Sequence, residues 1–230
     1  MARFYDMDEH HMNSNDKHKD ALRTLQLQFV GKLLAGFTHE TKNYLAIIKE
    51  SVGLIGDMLK MGKLSRNDVP EYFNIINSIN EQIEKANDLF KYLNRFAHRM
   101  DTPLSAFNVN ESLEELSGLL NRFANQKRIV LEKQFQKDLP QIYSNPSLLQ
   151  LLVFNIIESG MPRLDRNSTI SIQTHHTDGF IDIRIILKGT VLEEGASSHE
   201  LNDSIIKELG GQLSLMGGTE TFIHLPVRNM

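Results

Sequence analysis

The chain has no cysteine among its 230 residues. That excludes disulfides, thiolate metal sites and cysteine nucleophiles, and it suits a reducing compartment. It also lacks any apolar run near the roughly 20 residues that a membrane helix needs. The first residues, MARFYDMDEHHMNSNDKHKD, have no apolar centre of the signal-peptide kind. Positive charge is not in excess either. Lys plus Arg is 25 against 29 for Asp plus Glu, a net charge of -4, so nothing advertises nucleic acid as a partner. The expectation is a soluble, cytoplasmic protein with no membrane and no nucleic-acid partner. Hydrophobic residues at 40% and charged residues at 23% describe a globular chain, long enough for one large domain or two small ones.

Three segments follow from the pattern. Residues 1–19 are polar and hold His10, His11 and His18. They read as a flexible tail rather than a metal site, because nothing fixes the geometry that ligands need. From about 20 to 62, Leu27, Val30, Leu34, Phe37, Thr41, Tyr44, Ile48, Val52, Ile55 and Leu59 recur at steps of three and four. That is a helical seam of the coiled-coil type, and Leu33, Ala46, Ile47 and Leu54 widen it. Gly62 suits a C-terminal cap, and Pro70 suits the first turn of the next helix. A second helix over about 69–99 repeats the spacing with Phe73, Ile76, Ile79, Ile83, Ala86, Phe90, Leu93 and Ala97. Residues 20–100 thus form an antiparallel hairpin. Its stripe is too broad for one hairpin to bury, which predicts a homodimer closed as a four-helix bundle.

After Asp101-Thr102-Pro103 the pattern alternates strand and helix over 104–230. Strands are expected at 106–109, 129–135, 169–174, 180–187, 212–216 and 221–227, and helices at 111–123, 146–160 and 201–209. Most strands are joined as hairpins. The fold class is therefore α+β, an α/β sandwich behind a helical hairpin, and not a doubly wound nucleotide fold.

One stretch of the first helix carries chemistry: Gly36-Phe37-Thr38-His39-Glu40-Thr41-Lys42-Asn43-Tyr44-Leu45. His39 lies two residues from the seam positions Phe37 and Thr41, about 200° around the helix, so it points to solvent. Asn43 is one turn on, on the same face, and Glu40 flanks it. A neutral imidazole is nucleophilic, a carboxylate can take its proton, and an amide can orient water. Elsewhere, adjacent His175 and His176 would point to opposite faces of an extended segment, and no metal site is expected. His98 reads as a cation at a helix end. His199 and His224 carry no recognisable constellation.

The run Thr38 to Leu45 resembles the phosphoacceptor box of two-component sensor histidine kinases, with Tyr44 where that family usually has proline. The resemblance implies that His39 is the phosphorylated residue, that Glu40 assists proton transfer and that Asn43 can position water. It extends to Phe107–Leu113, to Leu139–Gln150 (with Asn145 where the family has Asp) and to Gly217–Pro226, and so covers about 20–228. It implies a dimerisation and phosphotransfer hairpin followed by a degenerate Bergerat-type α/β sandwich. The ATP boxes do not carry over. Asn155 matches the first box asparagine, but Ser159 stands at the second. Leu187 replaces the Asp that reads adenine, followed by Gly189, with Val191 at the second glycine. The phosphate loop reads Gly195-Ala196-Ser197-Ser198-His199-Glu200-Leu201-Asn202, with one glycine at its edge. Leucine accepts no hydrogen bond.

The function expected is histidine phosphotransfer in a two-component phosphorelay. His39 would pass a phosphoryl group between receiver-domain aspartates, with no intrinsic cofactor and with Mg2+ brought by the receiver. The alternatives are an ATP-dependent kinase core, and a response-regulator phosphatase using Glu40 and Asn43. A receiver would pack below His39, where Ile47 and Leu54 continue the exposed side.

Overall fold

A computed structural model describes residues 14–63, 65, 67–190 and 199–227. His10 and His11, Val191 and the run Gly195 to Ser198 lie outside the described residues.

Two long helices come first, α1 over Ser14–Lys60 and α2 over Val69–Asp101. The first begins inside the segment expected to be a flexible tail, so the helical register extends at least six residues further back than the apolar pattern reads. Polar residues such as Asn15, Asp16 and Lys17 propagate a helix without marking it by periodicity. Gly62 takes φ 70° just past α1, and Pro70 opens α2.

Only part of the expected seam closes within the chain. The buried side chains of α2 are Ile75, Gln82, Leu89 and Phe96, spaced by seven. The expected set is left on the other side: Phe73 is 61% exposed and Phe90 52%. On α1, Leu27, Leu34, Val52 and Leu59 are likewise exposed, while Phe29, Leu33 and Met58 are buried. Each helix thus has two apolar faces, one used inside the chain and one still open.

The second unit has β1 (Ser105–Phe107), α3 (Val109–Lys127), β2 (Val130–Phe135), β3 (Ile142–Ser144), α4 (Pro146–Gly160), β4 (Thr169–Thr177), β5 (Phe180–Lys188), α5 (His199–Leu209), β6 (Gln212–Met216) and β7 (Glu220–Pro226). A small sheet pairs β1 with β3. The main sheet runs β2-β4-β5-β7-β6. Hairpins join β4 to β5 and β6 to β7, but β2 and β4 are parallel, because α4 intervenes as a crossover. The inner face alternates cleanly, with Ile170 and Ile172 on β4, Ile181, Ile183 and Ile185 on β5, and Ile223 and Leu225 on β7, all buried. Asn108 caps α3 and Asn145 caps α4, the latter accepting from Leu148 N at 3.1 Å. The Asn for Asp departure at Asn145 therefore leaves the cap intact.

The two units share one core. Phe29, Leu33, Leu89 and Phe96 of the hairpin belong to the same apolar cluster as Leu116, Leu120, Phe154 and Ile157. Close approach is made through glycine. A Cβ on Gly118 of α3 would collide with the ring of Tyr92 on α2, and one on Gly36 of α1 would lie 3.0 Å from Phe123. A buried ion pair reinforces the joint. Arg99 at the end of α2 donates to Glu115 of α3, with Nη2 to Oε1 at 2.8 Å, and the carboxylate side chain is 2% exposed.

Candidate functional site

The candidate site begins in the middle of α1, where the hydrogen-bonded helix fixes spacing and direction. His39 and Asn43 are both exposed. The Asn43 Nδ2 lies 3.2 Å from His39 Nδ1, so the one-turn spacing becomes a direct contact between the two side chains. Glu40 turns elsewhere. It is half-buried and, with Tyr44, lines a cavity of about 220 Å³ between α1, α2 and α3 that Lys85 and Arg122 also face. Burial, and then the nearby Glu40 carboxylate, raises the Tyr44 phenol above its ordinary value near 10. Thr38 donates to Leu34 O within the helix. Thr41, the polar member of the seam, has a buried hydroxyl without a hydrogen-bond partner among the described residues. Below the imidazole, Ile47 is 39% and Leu54 49% exposed.

A second group of side chains gathers where α1 crosses α4. Asn155 and Ser159 of α4 line a cavity of about 240 Å³ together with Phe29 and Lys32 of α1 and Leu201 of α5. Lys32 Nζ bridges to Glu158 Oε1 at 2.6 Å, and the rings of Phe29 and Phe154 are 4.8 Å apart. Ser159 Oγ donates to its own helix at Ile156 O, and the Asn155 Nδ2 is buried without a partner among the described residues. Leu187 packs on the C-terminal end of the same helix, beside Ser159. A Cβ on Gly160 would come within 2.8 Å of its Cδ2, so the glycine makes room for the leucine. Gly189 takes φ 142° and rests against Ser168. Lys32 and His39 are seven residues apart, on one face of α1 and about 10.5 Å apart along its axis.

The sequence reading anticipated His39 beside Asn43 but not Phe29, Lys32 and Glu158. The usable signal was Phe29 lying four residues before Leu33, which puts both on the second apolar side of the helix. Among the described residues no group of three or more His, Asp or Glu is placed to hold a metal. None of the described helices is long and apolar enough to cross a membrane.

No protein-family model matches the chain. Its sequence relatives include proteins named as kinases. Sporulation kinase C of Bacillus subtilis is 26% identical over 158 residues, 68% of this chain and 35% of that protein. Sporulation kinase E of the same organism is 27% identical over 135 residues, 59% of this chain and 17% of that one. The cell-division control histidine kinase PdhS of Brucella anthropi is 25% identical over 131 residues, 56% and 12% respectively. The chain thus spans about a third or less of the relatives it matches. Among solved structures, the Acinetobacter baumannii histidine kinase AdeS aligns over 83% of this chain and 98% of its own, at 15% identity and a TM-score of 0.46. The histidine kinase ThkA in complex with response regulator protein TrrA aligns over 92% of this chain and 66% of its own, at 16% identity and a TM-score of 0.46. The kinase names fit the ATP-dependent alternative better than phosphotransfer without ATP.

Proposed function

We propose that this chain is a histidine-kinase-like transferase of two-component signalling that carries a phosphoryl group on His39 and exchanges it with the aspartate of a receiver domain. The observation that carries the reading is the exposed imidazole of His39, held by Asn43 on the solvent side of a helical hairpin. An imidazole nitrogen attacks phosphorus, the bond to the donor oxygen breaks, and the reverse step returns the group to a carboxylate. Transfer of this kind needs mainly position and charge neutralisation, and the receiver brings Mg2+ for the latter. Glu40, next in the chain, is the nearest carboxylate in sequence, but it faces the cavity between α1, α2 and α3 and would have to swing toward the ring to take a proton. Ile47 and Leu54 offer the receiver an apolar footing below His39. The open stripe of Leu27, Leu34, Phe73 and Phe90 is the surface on which a second copy would close the bundle.

Two sources can load His39. The relatives named as kinases favour ATP bound in the sandwich. The side chains of this chain favour a phosphorylated receiver. Leucine stands at the adenine-reading position and is packed on Gly160, the Ser159 hydroxyl is committed to its own helix, and α1 lies across Asn155 and Ser159. On that reading no nucleotide is needed.

The test is incubation with γ-labelled ATP and Mg2+, beside His39→Ala. Label that requires His39 makes the chain an ATP-dependent kinase. No label, with His39-dependent uptake from a receiver preloaded with acetyl phosphate, makes it a phosphotransferase. Loss of receiver phosphate without a labelled protein would indicate a phosphatase. His39→Ala relaying phosphate as well as wild type would end the proposal.

A further inference from the structure

We propose that His224 is a second phosphoryl-accepting histidine, on the outer face of the main sheet, with Asp182 as its positioning residue. The two are far apart in sequence, and strand register brings them together. His224 of β7 pairs with Asp182 of β5, and Asp182 stands opposite His175 of β4. Gln212 of β6 closes the row beside His224. Asp182 and His224 alternate with the buried Ile181, Ile183, Ile223 and Leu225, so both point away from the helices. The His224 Nδ1 is in ion-pair contact with Asp182 Oδ1. That oxygen is buried and has no other partner among the described residues. The Phe180 ring stands edge-to-face with the imidazole at 6.3 Å and walls one side of it. The histidine side chain is still 44% exposed, and no described residue hydrogen-bonds its Nε2.

A carboxylate against Nδ1 does two things for an imidazole. It keeps the ring proton on Nδ1, so the lone pair of Nε2 is free. It also offsets the positive charge that the ring acquires when Nε2 forms a bond. The exposed His176 has no such carboxylate, and His98 has Asp101 only at 3.8 Å. Arg184, next along the outer face of β5, adds positive charge near an incoming phosphoryl group, although its Nη2 is shared with Glu220 at 2.7 Å. In the reaction the Nε2 lone pair bonds to phosphorus. The bond from phosphorus to the donor's leaving atom breaks and leaves its electron pair there. The Nδ1 proton stays in the contact with Asp182, whose carboxylate balances the charge of the loaded ring.

The test uses phosphoramidate, which needs neither ATP nor a receiver. Its P–N bond breaks, and ammonia leaves complete from the N-protonated donor. Every protein carries His39→Ala, so α1 gives no signal and the outcome does not depend on the role of His39. Loading is followed site by site by phosphorus NMR and peptide mapping, with His224→Gln to assign the signal. Nitrogen NMR on the unloaded protein should show the His224 proton on Nδ1. His224 should load roughly three- to tenfold faster than His176 in the same sample, the size of one hydrogen bond. Asp182→Asn should remove that advantage and leave His176 unchanged, which a general loss of fold would not do. Asp182→Ser, a smaller change of shape at the same place, should act alike. Loading of His224 no faster than His176 would overturn the proposal. So would an unchanged His224 rate in both Asp182 variants, or a ring proton on Nε2.

Discussion

Arg99→Ala removes the partner of a carboxylate that has almost no water. The Glu115 residue is 1% exposed. Its oxygens receive Arg99 Nε at 2.5 Å and Nη2 at 2.8 Å, and Gln150 Nε2 only at 3.4 Å. With the guanidinium gone, the charge keeps one long amide contact. Breaking a buried pair from one side costs about 3–5 kcal/mol. For a chain of this size each kcal/mol is about 2–4 °C in melting temperature, so the midpoint should fall by about 6–20 °C. Glu111, 3.8 Å from the same arginine and 68% exposed, is the control. Glu111→Ala should cost less than about 1 kcal/mol. Arg99→Met with Glu115→Leu replaces both charges by apolar groups and should return most of the lost stability. Urea and thermal unfolding of the four proteins give the numbers. A loss below about 1 kcal/mol in Arg99→Ala would refute the reasoning. So would a double variant as unstable as the single one.

Gly118→Ala places a methyl group against the Tyr92 ring, with an expected cost of about 1–3 kcal/mol in denaturant, most of it recovered when Tyr92 is shortened to leucine. Asn145→Ala should cost about 1 kcal/mol through the lost cap of α4, whereas Asn145→Asp should stay near wild type in the same assay. Because the folded Tyr44 phenol ionises later than the unfolded one, stability should fall as pH rises from about 10, and Glu40→Gln should move the Tyr44 transition downward in an ultraviolet titration. Ile83→Glu with Phe90→Glu puts charge on the open seam, and if a second copy closes the bundle as proposed, light scattering should show a dimer for wild type and a monomer for the variant while circular dichroism keeps its helix signal.

The long helices were legible because their period is strong, and α4, β6 and most of β5 were legible from apolar runs between turn residues. Periodicity tells that a face is apolar but not which neighbour takes it. That is why the stripe Phe73, Ile76, Ile83 and Phe90 was readable as buried in a bundle, while Ile75, Gln82, Leu89 and Phe96 do the burying within the chain. Strand β3 was not legible: three residues between Pro140 and Pro146 carry no period. Nor was the parallel pairing of β2 with β4, which depends on a crossover rather than on local pattern. At the site, the contact of His39 with Asn43 follows from helix geometry alone. The placing of Glu40 in a cavity that Arg122 and Lys85 also line, and the approach of Lys32 to Glu158 across 126 positions, are set by tertiary packing that a local pattern cannot see.

The contacts of Tyr92 on Gly118 and Phe123 on Gly36 make a stiff coupling rather than a cushioned one. Flexible side chains between two bodies absorb small displacements by changing rotamer. Here a flat ring rests on a glycine at each contact, one between α2 and α3 and one between α1 and α3, and neither glycine has a side chain to rotate. A shift of α1 at Gly36, three residues from His39, should therefore be passed on to α3. A reporter dye on the outer sheet should therefore sense a displacement of α1 beside His39.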